Sequence, residues 1–256
     1  RQKPVPLFQS AGLRADPGTG CGCCYHPRMT THYESLQQAA AYQDAFGVEP
    51  PSALGERDMW PRKPGFCIRP VAAEGDAPAS RVLTPAQWGL VPHWVKSASD
   101  GKLRAPKLVN ARSETASTTQ NFRDAWLQNQ RCIVPMQAFY VDDLRSGKAV
   151  PTRISRIDGK PMGVAGLWAS WTGPDGVPFL SYTVLTVNAN NHALMRRYGP
   201  AGNDKHMPVI LNEGAVDAWL TVRIEKAKEF MRQYPANWLA ANPLETKADK
   251  VPQGLF

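Results

Sequence analysis

The chain lacks a run of 18 or more apolar residues, so no helical membrane span is expected. It is poor in cysteine: Cys21, Cys23, Cys24, Cys67 and Cys132 are an odd count in a chain of 256 residues. That is unlike the cysteine pattern of a small secreted disulfide scaffold, and a reducing cytoplasm is the expected compartment. Arg1 to Leu13 are basic and proline-bearing without an apolar stretch, so no secretory signal is expected. No glycine-rich phosphate loop, no G-x-S-x-G and no H-E-x-x-H occurs, which removes the usual signatures of nucleotide binding, serine hydrolysis and zinc proteolysis. No repeat recurs at a period of roughly 20–50 residues. Acidic residues are the minority charge. Against 22 Asp and Glu stand 30 Lys and Arg, a net charge of +8, which favours an anionic partner such as nucleic acid but does not bear on fold.

What is present is ordinary globular material, with 43% hydrophobic and 20% charged residues, enough for a sizeable core. Residues 1–28 carry Pro, Gly and Arg without a hydrophobic period and read as a leader or irregular extension; residues 29–256 read as one domain. Tyr33 to Phe46 are good helix formers, with Gly47 as a stop. Pro50, Pro51, Pro61, Pro64 and Pro70 predict a long irregular connection. Phe122, Ala125 and Trp126 lie at helical spacing within Thr118 to Asn129. Beyond Arg131 the pattern is largely β: Arg131–Tyr140, Thr152–Ile157, Met162–Trp171, Phe179–Val187 and Pro208–Leu211. Asp158-Gly159 predicts a hairpin turn between two of these runs, and Pro174-Asp175-Gly176 a second turn. Ala215–Leu220 and Ile224–Tyr234 read as helices. The fold class that follows is α+β, a mainly antiparallel, barrel-like sheet core with peripheral helices.

Three constellations carry chemistry. Cys21-Gly22-Cys23-Cys24-Tyr25-His26 has C-x-x-C spacing beside a histidine, but no second close pair supplies the four ligands that zinc takes, so no metal or other cofactor is expected. Asn110-Ala111-Arg112-Ser113-Glu114-Thr115, if extended, puts Asn110 and Arg112 on one face, a pairing suited to a phosphate or a sugar. Taken alone, a surface ion pair between Arg112 and Glu114 is the plainer reading of that block. Tryptophan is plentiful and is usually core; Trp94 stands out because it precedes the basic, polar stretch Lys96 to Lys107, where an indole would make a stacking platform for an unpaired base.

Taken together, Trp88-Gly89-Leu90-Val91-Pro92-His93-Trp94, Asn110 to Thr115, Phe122-Arg123, Arg131 to Pro135, Ala138-Phe139-Tyr140, Val164 to Trp168, Leu185 to Ala189 and Met207 to Leu211 resemble, in order, the blocks of the SRAP family (SOS response-associated peptidase, the abasic-site shielding proteins), in a divergent and phage-related form. The resemblance implies a monomeric protein that acts on abasic sites in single-stranded or junction DNA during the DNA damage response. Family chemistry uses an N-terminal cysteine, whose amine forms a Schiff base with the sugar aldehyde and whose thiol closes a thiazolidine ring, assisted by an Asn, a Glu and a His.

Carried over to this chain, Met29-Thr30-Thr31-His32-Tyr33 matches the family opening. The nucleophile position is then Thr30, the Asn is Asn110, the Glu position is Val141 and the His position is Asp204, or Gly199 if the loop aligns differently. Motif spacing favours Thr30 over Cys21 and Cys24, which lie five or more residues upstream. Thr30, Asn110 and Asp204 are the candidate catalytic residues. His32, Trp94, Arg112, Thr186 and His206 are the candidate DNA contacts, with His32 and His206 standing where the family has arginines. A hydroxyl is a weaker nucleophile than a thiolate, and valine moves no proton. The expectation is DNA recognition with durable crosslinking and peptidase-like activity in doubt; the alternatives are an inactive DNA-binding pseudoenzyme and a phage accessory interaction module.

Overall fold

The computed structural model describes residues 31–71 and 80–244. The residue 1–28 extension, Thr30 and the Cys21-to-His26 block all lie outside the described residues. The strands, in order, are β1 (Tyr33–Glu34), β2 (Asp58–Met59), β3 (Pro64–Val71), β4 (Ser80–Trp88), β5 (Asn110–Arg112), β6 (Arg131–Met136), β7 (Ala138–Asp143), β8 (Val150–Arg156), β9 (Met162–Thr172), β10 (Pro178–Asn188), β11 (His206–Pro208), β12 (Ile210–Leu211) and β13 (Leu239–Pro243). Four short helices accompany them: α1 (Ala39–Phe46), α2 (Ala98–Arg104), α3 (Gln120–Leu127) and α4 (Val216–Thr221). No helix among the described residues is long and apolar enough to cross a membrane.

The architecture is the expected α+β, mainly antiparallel form. Strands β10, β4, β3, β6 and β9 close on themselves through the β9–β10 pairing, making a five-stranded barrel, with β5, β11 and β12 attached to it. A second, wholly antiparallel sheet runs in the order β13-β8-β7-β1-β2. Alternation along the barrel strands builds two cores, because successive side chains point to opposite faces. Cys132, Val134, Val164, Tyr182 and Val184 pack with Tyr33, Met59, Phe139 and Ile154 of the second sheet. Ile133, Ala165, Leu167 and Leu185 pack with Phe46 of α1, Phe122 and Trp126 of α3, and Trp219 of α4.

Several sequence expectations are corrected. Tyr33 and Glu34 are strand rather than helix, because β1 is held between β2 and β7 and Tyr33 is buried with its hydroxyl against that of Tyr182 at 2.5 Å. Helix formation starts only at Ala39. It stops where expected, at Gly47, whose φ of 60° lets its N–H reach the Gln43 carbonyl at 2.8 Å. Pro64 and Pro70 belong to a strand, not a loop. They fit there because β3 pairs with β4 along its length but with β6 only at Ile68, so their missing N–H groups cost the second ladder nothing. Asp158-Gly159 does turn the chain, but it joins β8 to β9, which lie in different sheets, so it closes no hairpin. Gly176 does turn the β9–β10 hairpin, its N–H bonding the Gly173 carbonyl at 3.0 Å. Ile224–Phe230 is 3-10 rather than α-helical.

Candidate nucleic-acid interface

Register brings four of the candidate residues onto one face. β5 runs parallel to β10 with Asn110 opposite Val184 and Arg112 opposite Thr186. On the other side of β10, β11 sets Pro208 opposite Thr186 and His206 opposite Asn188. Directly opposed residues, and residues two apart, share a face. Asn110, Arg112, Thr186 and His206 therefore lie on the same side of three adjacent strands, the side of Val184 that faces the second sheet. Leu185 and Ala111 lie on the opposite side, in the helix-covered core.

Within this group Thr186 is buried, its hydroxyl 3.5 Å from the Ala111 carbonyl. Arg112 is exposed, and no carboxylate among the described residues forms an ion pair with it. The expected Arg112–Glu114 pair is absent: Glu114 accepts from the Asn188 N–H at 3.1 Å and lies 3.8 Å from His206 Nε2. The turn that follows β5 carries Glu114 across to β10 and β11, away from the arginine two residues before it. The His206 side chain is only 3% exposed, and its Nδ1 is buried without a hydrogen-bond partner. Asp204 is exposed and accepts from the Asn190 side-chain amide at 3.0 Å.

His32 is positioned by the second sheet. Its ring is sandwiched between Trp60 and Tyr140, with centroids 4.1 and 4.0 Å away and planes inclined by 12° and 5°. Its Nε2 lies 2.8 Å from Asp58. Sequence reasoning missed what anchors this stack. Glu34, almost fully buried on β1, accepts a two-pronged contact from Arg153 Nε and Nη2 at 2.8 and 2.9 Å, a hydrogen bond from the Tyr140 hydroxyl and an ion pair from Arg57 at 3.2 Å. Burial pushes its carboxyl pKa up, but Arg153 and Tyr140 more than offset this and hold it at about 2. Burial, and then Glu34 itself, push the Tyr140 phenol up to about 12. The available signal was spacing: His32 and Glu34 are two apart and so share a face in any extended reading.

Trp94 lies elsewhere. It follows β4, packs against Val91, Val95 and Ala105, and has the Arg104 guanidinium 5.1 Å from its ring centroid. It helps to line a cavity of about 230 Å³ beside α3 that no other candidate residue reaches. Among the described residues no group of three or more His, Cys, Asp or Glu side chains gathers as a metal site.

Residues 24–251 match the family model for SRAP, SOS response associated peptidase. The chain belongs to the SRAP family. Among curated SRAP relatives, "Abasic site processing protein YoqW" of Bacillus subtilis (strain 168) is 35% identical over 54% of this chain and 57% of its own length, and the protein of the same name from Bacillus phage SPbeta matches equally. These matches thus span little more than half of those relatives. "Abasic site processing protein HMCES" of Gallus gallus is 28% identical over 84% of this chain and 71% of its own. A solved structure from Bordetella bronchiseptica superposes with a TM-score of 0.76 at 39% identity, covering 84% of this chain and 100% of the other. The SRAP fold and the family's association with abasic-site processing and with phage are thereby shown.

Proposed function

We propose that this SRAP chain recognises abasic sites in single-stranded or junction DNA and does so without forming a durable covalent bond. The observation that carries the reading is the shared face of Asn110, Arg112, Thr186 and His206, which groups an amide, a guanidinium, a hydroxyl and an imidazole on three neighbouring strands. That set suits a sugar and its phosphates: donors fix the backbone, and the exposed Arg112 supplies the charge. The curated relatives, named for abasic-site processing, supply the lesion.

Three features favour recognition over crosslinking. The nucleophile position is Thr30, a hydroxyl where the family has a thiol. Val141 is apolar and packs against the second-sheet core. Asp204 is committed to Asn190 at the surface. His206, buried to 97% of its side chain, is poorly exposed for a phosphate; it fits better as a hydrogen-bonding wall of the sugar site. Trp94 provides an aromatic surface for a neighbouring base.

The test is fluorescence anisotropy with an abasic single strand, followed by denaturing gels with and without borohydride. The expected result is salt-sensitive binding, weakened by roughly tenfold in Arg112→Ala, with no product surviving denaturation when borohydride is omitted. A denaturation-stable adduct formed without reductant by the chain starting at Thr30 would restore the crosslinking reading. Binding that ignores salt and Arg112 would remove DNA as the partner.

A further inference from the structure

We propose that the cavity beside Trp94 takes an unpaired nucleobase of the bound strand and prefers guanine. The inference rests on the DNA-recognition reading above and adds base selectivity to it. The cavity of about 230 Å³ is lined by Pro92, His93 and Trp94 and by residues of α3 and β9. Its polar lining is unusual in kind. Asn121, Gln128 and Gln130 bring carboxamides, Ser170 brings a hydroxyl and Asp124 brings one carboxylate. Among the described residues, none of the carboxamide or Ser170 side chains forms an internal hydrogen bond. Asp124 is only loosely engaged, 3.7 Å from His93 Nε2 and 3.5 Å from Arg123 Nε.

An aromatic ring and uncommitted carboxamides lining one cavity are the chemistry that reads a base: the ring stacks on the face and the edges meet donors and acceptors. Asp124 sets the preference. A carboxylate only accepts hydrogen bonds, and its two oxygens are best met by two adjacent donors. Guanine alone among the four bases presents such a pair, N1–H beside the N2 amino group, with O6 next to them to accept from a carboxamide N–H. A phosphate is disfavoured in the same cavity, because the carboxylate repels it. The lining residues come from three separate segments: β9, which is a barrel strand, and the stretch after β4 and α3 with its C-terminal extension, which pack on the barrel. The cavity is therefore a feature of the folded scaffold and not of one loop.

The test uses the full chain and oligothymidylates bearing one central tetrahydrofuran residue, an abasic analogue with no aldehyde, flanked by dG, dA, dC or dT. Anisotropy is expected to show dG-flanked strands binding roughly tenfold tighter than dT-flanked ones, the scale of one well-placed edge contact. In Asp124→Asn, and separately in Asn121→Ala with Gln128→Ala, that increment is expected to vanish, so that all four strands bind alike. Equal binding of the four strands by the unmodified protein overturns the inference while leaving DNA recognition standing. A dG increment that survives both variants also overturns it, by placing the base elsewhere. Failure of the unmodified protein to bind any of the strands defeats the DNA-recognition reading, and the inference with it.

Discussion

At the scale of single residues, Glu34 shows how a buried charge is made tolerable. Its carboxylate is nearly inaccessible, yet two arginines and a phenol surround it, so the ionised form is favoured by contacts that water would otherwise provide. Because its pKa falls from an ordinary 4.5 to about 2 on folding, the contribution to stability is present above pH 4.5 and is lost as the pH falls towards 2. The depression corresponds to about 3 kcal/mol, since each unit is worth about 1.4 kcal/mol. Denaturant unfolding followed across this window is expected to show an acid limb of that order. Glu34→Gln should lose stability by a similar amount at neutral pH and should flatten the limb. An unchanged limb in the variant would place the acid sensitivity elsewhere. Tyr140 ties this to the candidate interface: it donates to Glu34 and stacks on His32, so loss of the carboxylate also loosens the ring of a candidate DNA contact.

At the scale of elements, Gly89 marks the place where β4 hands the chain to the segment carrying Trp94. Its φ of 110° lies where only glycine is comfortable, and a Cβ there would sit 2.5 Å from the Ala105 carbonyl oxygen. Gly176, in the β9–β10 turn, has a φ of 73° but nothing within 4 Å of a Cβ. Gly176→Ala is therefore expected to cost about 1 kcal/mol and Gly89→Ala about 3 kcal/mol or more, a further fall in melting temperature of several degrees. Equal shifts in thermal unfolding would mean that the close approach to Ala105 costs nothing beyond the backbone conformation. The same elements explain what the sequence could disclose. The strand runs from Arg131 onward were legible because β-branched and aromatic residues alternate there, and the Asn110–Arg112 face followed from period-two geometry alone. β1 was not legible, since Tyr33 and Glu34 differ from helix formers only through partners 24 or more residues away, Asp58 and Met59 on one side and Ala138 and Phe139 on the other. Nor was the partner of Glu114, because local spacing offers Arg112 while the sheet supplies Asn188 and His206. The Trp94 cavity needed three segments far apart in sequence, which no local pattern can announce.

At the scale of the whole molecule, a net charge of +8 attracts any polyanion, so affinity alone says little about which groups meet the nucleic acid. Salt dependence separates them. Each cation that neutralises a phosphate of a single strand steepens the fall of log K against log salt by about 0.7, whereas neutral contacts to a base release no counterions. Many of the chain's arginines are already spent on carboxylates: Arg153 on Glu34, Arg156 on Asp158 and Glu213, and Arg145 on Asp143. Arg112, with no such partner among the described residues, is placed to act on phosphate. Titrations of an abasic single strand at several salt concentrations are therefore expected to give a slope about 0.7 shallower for Arg112→Ala than for the unmodified protein. For Asn121→Ala the lines should run parallel to the unmodified protein's, displaced but not tilted, because a carboxamide neutralises no phosphate. Parallel lines for Arg112→Ala would mean that the guanidinium on the shared strand face does not contact the backbone at all.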